Sequence, residues 1–63
     1  MTKEDLLYVF QRLLVIYEPK TAISWLLGKN THLGDRQPIE VLSEGDYQAV
    51  HRAIDADIAG SYA

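Results

Sequence analysis

Ala22-Ile23-Ser24-Trp25-Leu26-Leu27, a break at Gly28, then Asn30, Leu33, Gly34 and the run Gln37-Pro38-Ile39-Glu40-Val41-Leu42 form the stretch that decides the fold. Ala22, Ile23, Leu26 and Leu27 recur at helical spacing and predict a buried stripe, with Trp25 beside it. Pro19 is tolerated in a first helical turn and biases Glu18 away from helix, so this helix runs from about Pro19 to Leu27. Gly28 is expected to close it as a left-handed residue. Lys29 to Gln37 reads as a polar loop, because Asn30, Gly34 and Asp35 favour or tolerate turn conformations. Pro38 then opens a short helix with Ile39 and Leu42 on one side.

On the amino-terminal side, Thr2 followed three residues later by Asp5 predicts a capping-box start, with Glu4 and Asp5 near the positive end of a helix dipole. Leu6, Phe10, Leu13, Leu14 and Tyr17 place one apolar face on a helix running to about Tyr17. Leu7, Val9, Val15 and Ile16 widen that face over most of the circumference. Either one flank meets another molecule or the neighbouring helices wrap it. On the carboxy-terminal side, Ser43 with Asp46 repeats the cap signature before a last helix that ends near Ala59, with Gly60 as terminator. Tyr47, Val50, Ile54 and Ile58 form its stripe, Ala53 extends it, and Asp57 is expected at the solvent edge. No segment alternates with period two over a useful length. The expectation is an all-α single domain, residues 1–63, of about four short helices.

A chain of 63 residues forms one domain at most and buries only about 60% of the surface its unfolded form exposes. It has no cysteine, so neither disulfides nor thiolate metal sites contribute, and two isolated histidines make no zinc cluster. A hydrophobic content of 48% argues for a folded domain over a disordered tail. Six basic and nine acidic residues give a net charge of -3. Lys3, Arg12, Lys20, Lys29, Arg36 and Arg52 are dispersed, which disfavours direct nucleic-acid binding by this chain alone. The apolar run from Leu13 to Ile16 is far too short to span a bilayer, and no signal-peptide pattern opens the chain. A cytoplasmic protein is expected.

Catalysis needs a convergent nucleophile, base and oxyanion donors, and none is assembled here. His32 lies in a loop, while His51 is either a flank residue or an interface contact. Asp55 and Asp57 sit two apart, about 200° around a helix, so they do not pair as acid and base. Gly34 is isolated from any glycine-rich phosphate cradle. The expectation is no catalytic residue, no metal and no cofactor. Trp25 reads as the centrepiece of a small core between the first and last helices, or as an interface anchor.

An Ala-x-x-Trp-Leu helix, an Asn, a Leu-Gly turn, a Pro-x-x-x-Leu turn, a Gly-Asp step and a last helix ending at Gly occur here in order, from Ala22 to Gly60. In that order and spacing the chain resembles the toxin-binding domain of the Xre/MbcA/ParS antitoxin family, over roughly Asp5 to Gly60. The resemblance assigns Trp25, Leu26, Asn30, Leu33, Gly34, Pro38, Leu42 and Gly60 to the structural motif. It implies a bacterial antitoxin whose partner is a RES-domain toxin acting on NAD, with the carboxy-terminal region covering the toxin's active-site cleft. Ser61, Tyr62 and Ala63 would do this here, with Arg36, His51 and Asp55 as further toxin-binding candidates. Typical members also carry an amino-terminal helix-turn-helix region, for which the start at Met1 leaves no room, so operator binding is not expected.

Two other functions fit the residues. One is a small dimerisation or adaptor module, with a homodimer formed through the apolar first helix. The other is a stand-alone transcriptional regulator, against which the dispersed basic residues argue.

Overall fold

The computed structural model describes residues 2–61. Four α-helices occur among them: α1 (Lys3–Leu13), α2 (Pro19–Leu27), α3 (Pro38–Ser43) and α4 (Tyr47–Ser61), with a 3-10 turn at Thr31–Leu33 between α2 and α3. The all-α expectation holds, and no β-strand occurs among the described residues.

Each start has a local cause. Thr2 caps α1 reciprocally with Asp5: the Asp5 amide donates to Thr2 Oγ1 at 3.1 Å and the Thr2 amide to Asp5 Oδ2 at 3.2 Å. This satisfies two of the donors that a helix start leaves orphaned. Pro19 and Pro38 open α2 and α3, each behind an extended residue, Glu18 and Gln37. The predicted limits of α2 are those observed.

Several ends differ from expectation. α1 stops at Leu13, not near Tyr17. Val15 and Ile16 donate to carbonyls three residues back, tightening the chain before Pro19 forces Glu18 into an extended conformation. Gly28 is extended (φ -86°), not left-handed. The Leu27 carbonyl that it leaves open accepts from Gln37 Nε2 at 2.8 Å. Ser43 does not cap α4; it ends α3, its hydroxyl donating to the Glu40 carbonyl.

Gly45, at φ +90°, makes the turn instead. Its amide donates to the Leu42 carbonyl, and the Asp46 amide to that of Val41. This is the paired closure of a Schellman motif. Asp46 in turn accepts from the Ala49 amide at 3.3 Å and so caps α4. α4 then continues through Gly60 to Ser61, so Gly60 is an interior residue and not a terminator.

The core is built from all four helices and the turn: Val9 and Leu13 of α1, Ala22 and Leu26 of α2, Leu33, Val41 and Leu42 of α3, and Val50, Ala53 and Ile54 of α4. Pro38 is fully buried as well. On α1 the buried phase is therefore Val9 and Leu13, with Leu6 and Phe10 half-buried beside them. Leu7, Leu14 and Val15 remain exposed, so the described helices do not wrap that flank. On α2 the predicted stripe narrows to Ala22 and Leu26, since Ile23 and Leu27 are exposed. Trp25 is half-buried against the edge of the core.

Candidate functional site

The surface chemistry gathers where α1 meets α4. Asp5 lies beside Tyr47, the Tyr8 ring beside the His51 ring with centroids 5.2 Å apart, and Arg12 beside both His51 and Asp55. Residue numbers rise together on the two helices, so α1 and α4 run in the same direction. The intervening α2, 3-10 turn and α3 form the crossover that parallel neighbours require. Both amino-terminal helix ends consequently lie together, and Glu4, Asp5 and Asp46 are the acids found there. Negative side chains at positive dipole ends are favourable.

Along the seam, Arg12 is the organising residue. Its Nη1 donates to His51 Nδ1 at 2.9 Å, and its Nη2 is paired with the Asp55 carboxylate. A guanidinium carries only donors, so His51 Nδ1 is the acceptor in this contact. Asp55 is 62% exposed in its side chain, which leaves one face of the pair open to a partner. At the amino-terminal end, hydrogen bonds from the Thr2 side chain and backbone hold Asp5 below its ordinary value. The Asp5 charge raises the Tyr47 phenol.

A second cluster lies toward the end of α4. Asp57 Oδ2 accepts from the Trp25 indole Nε1 at 2.5 Å and from the Tyr17 hydroxyl at 3.2 Å. Asp57 is therefore not at the solvent edge as the helical stripe suggests; it is half-buried between α2 and the α1–α2 connection. Burial, and then the Asp57 charge, push the Tyr17 phenol above its ordinary value.

Arg36 belongs to a separate cluster, with Glu40 and Glu44. Both its terminal nitrogens engage Glu44 in a fork, and Glu40 lies 3.6 Å away. The Glu44 hydrogen bonds raise Arg36 and lower Glu44 from their ordinary values. The loop that carries Arg36 is closed by the Asn30 amide on the Arg36 carbonyl at 3.0 Å, and Gly34 and Asp35 both sit at positive φ within it. Asn30 Oδ1 additionally caps the 3-10 turn through the His32 amide.

The structure thus brings His51 and Asp55 together and leaves Arg36 apart from them. Ser61 lies in the last turn of α4, whereas Tyr62 and Ala63 lie outside the described residues. Arg12, Tyr8 and Asp57 are the members of these clusters that sequence reasoning did not select. No group of three or more residues able to hold a metal occurs among the described residues. No helix among them is long and apolar enough to cross a membrane.

The described residues thus form a small helical domain with a crossover between parallel outer helices and an exposed polar seam. Its motif residues define the kind: the Trp25-Leu26 helix, the Asn30-to-Gly34 turn, the Pro38-to-Leu42 helix and the Gly45-Asp46 hinge all occupy structural positions. The sequence model of the antitoxin Xre/MbcA/ParS C-terminal toxin-binding domain matches residues 12–60. The chain belongs to that family, and its role is that of an antitoxin domain with a toxin as partner. No curated protein matches the chain, and neither does any solved structure. Arg12, His51, Asp55 and the Tyr17–Trp25–Asp57 cluster all fall inside the matched stretch.

Proposed function

We propose that this domain binds and sterically inhibits a RES-domain toxin that consumes NAD, with α4 and the residues after it covering the toxin's active site. The observation that carries this reading is the match to a toxin-binding domain over most of the chain. α4 supports it chemically, presenting His51 and the exposed Asp55 on one face and leading into Ser61, Tyr62 and Ala63. A cleft that holds the pyrophosphate of a dinucleotide is cationic. A carboxylate with an aromatic ring occupies such a cleft by matching its charge and its base-stacking surface. Arg36, His51 and Asp55 are the proposed flanking contacts, and the inhibitor requires no cofactor.

The test is removal of Ser61, Tyr62 and Ala63 followed by titration against the toxin's NAD turnover. Loss of potency with retained complex formation is the expected result. Undiminished potency would favour an adaptor that joins subunits without blocking a site.

The adaptor reading has its own observation in the exposed Leu7, Leu14 and Val15. Two copies that pack through this flank would bury these side chains against one another. A homodimer of this kind is compatible with inhibition. Leu14→Glu is expected to convert it to a monomer in light scattering, whereas a wild-type chain that is already monomeric removes it.

A further inference from the structure

We propose that Asp57, Trp25 and Tyr17 form a clasp that fixes the direction in which α4 leaves the domain, and so positions the inhibitory end of the chain. This rests on the tail-blocking reading above. α4 extends about 22 Å at 1.5 Å per residue over its 15 residues. Its fully buried anchors, Val50 and Ile54, lie between its start and its midpoint, with Ala53 nearly as buried. Over its last two turns the apolar anchor is Ile58, and that residue is only half-buried.

Asp57 lies in this weakly anchored part, and it reaches two separate elements. Trp25 Nε1 donates from α2 at 2.5 Å, and the Tyr17 hydroxyl donates from the α1–α2 connection at 3.2 Å. Two donors arriving from different elements on one oxygen restrain both the sideways swing and the rotation of the helix end. A carboxylate in the last turns of a helix is otherwise disfavoured by the dipole. Phenylalanine at 17 would fill much the same space as the tyrosine, so the polar tip there is explained by the acceptor that it shares with Trp25.

The functional consequence is preorganisation. An end that swings freely must be ordered when it enters a cleft, and that ordering weakens binding. An end already held in direction loses less. Asp57 is on this reasoning a positioning residue, acting through the chain that follows it and not by touching the toxin's substrate site.

The test uses Tyr17→Phe combined with Trp25→Phe, which removes both donors and keeps an aromatic ring at each position, a smaller one at 25. In the protein without toxin, amide hydrogen exchange at Ile58, Ala59 and Gly60 should accelerate about tenfold, while Val50 and Ile54 stay as protected as in the parent. Against the toxin, the double variant should lose about tenfold in inhibitory potency in the full chain. It should lose less than twofold in a chain ending at Gly60. Equal losses in both chains, or exchange that accelerates evenly through the core, would mean that the residues serve stability alone and would overturn the clasp. If truncation weakens inhibition but the double variant does not, the clasp fails and the tail reading stands. If truncation leaves inhibition unchanged, both fall. Asp57→Asn, which retains an acceptor oxygen, should give an intermediate exchange rate, and a rate equal to the parent's would also overturn the clasp.

Discussion

Leu42→Ala probes how the small core is shared among its elements. Leu42 is fully buried and belongs to α3, a helix of only six residues that packs on both α2 and α4. Its side chain therefore lies in the core that these elements share. Truncating a fully buried leucine costs about 2–5 kcal/mol, the upper part of that range applying where surroundings cannot collapse into the space. Here the neighbouring backbone is fixed by Pro38 on one side and the Gly45 turn on the other, so little relaxation is available. Whole-domain stability for a chain of this length is about 3–9 kcal/mol. One truncation thus removes a large fraction of it, equivalent to a fall on the order of 10–30 °C in Tm.

Urea unfolding followed by far-ultraviolet circular dichroism measures the loss, with an unchanged denaturant slope confirming two-state behaviour. Leu27→Ala is the internal comparison, because Leu27 is 55% exposed and its truncation should cost less than about 1 kcal/mol. Toxin at 100 times its dissociation constant should restore about 2.7 kcal/mol to either variant. A Leu42→Ala protein within 1 kcal/mol of the parent, or an equal loss from Leu27→Ala, would refute this assignment of the core.

The hinge between α3 and α4 yields a second set of outcomes. Asp46→Ala should destabilise by about 0.5–2 kcal/mol through loss of the cap on Ala49, whereas Asp46→Asn should be nearly neutral. Gly45→Ala should cost about 1–2 kcal/mol because φ is +90° there, while Gly60→Ala should stabilise by up to about 1 kcal/mol, its Cβ meeting nothing within 4 Å inside a helix. Chemical unfolding resolves all of these. At alkaline pH, the raised Tyr17 phenol contributes stability that is complete below the ordinary tyrosine value of about 10 and is lost as pH rises through the folded-state value. Unfolding free energies measured from pH 9 to 12 should fall more steeply for the parent than for Tyr17→Phe. At acid pH the lowered Asp5 and Glu44 act in the opposite sense. Their stabilisation is present above ordinary carboxylate values and disappears as pH falls through the depressed ones.

The local parts of this fold were legible because their signals act within a few residues. Pro19 and Pro38 set helix starts by fixing their own backbone and restricting the residue before them. Thr2 and Asp5 satisfy each other across a single turn. Where two neighbouring signals competed, sequence reasoning chose wrongly: Ser43 and Asp46 are both good caps, and only the positive φ of Gly45 between them shows which one starts α4. Gly60 failed as a stop because a glycine ends a helix only where the chain must turn.

The polar contacts across the crossover were not legible. A helical wheel for α4 puts Asp57 at the edge of its own stripe, but Trp25 and Tyr17 reach it from 32 and 40 residues away. Arg12 meets His51 and Asp55 across separations of 39 and 43 residues. The parallel alignment that makes these pairs follows from how α2 and α3 pack, which no single-helix periodicity encodes. His51 and Asp55 were nevertheless selected as candidates, and their i, i+4 spacing on α4 is what allows one guanidinium to serve both.

The most direct measurement is co-expression of this chain with the product of the adjacent gene, followed by purification of the complex and an assay of NAD turnover as the chain is titrated in. The expected result is a stable complex with NAD turnover suppressed at a stoichiometric ratio and recovered when residues 61–63 are removed. A chain that elutes without the partner and leaves NAD turnover untouched at excess would contradict inhibition of an NAD-consuming toxin.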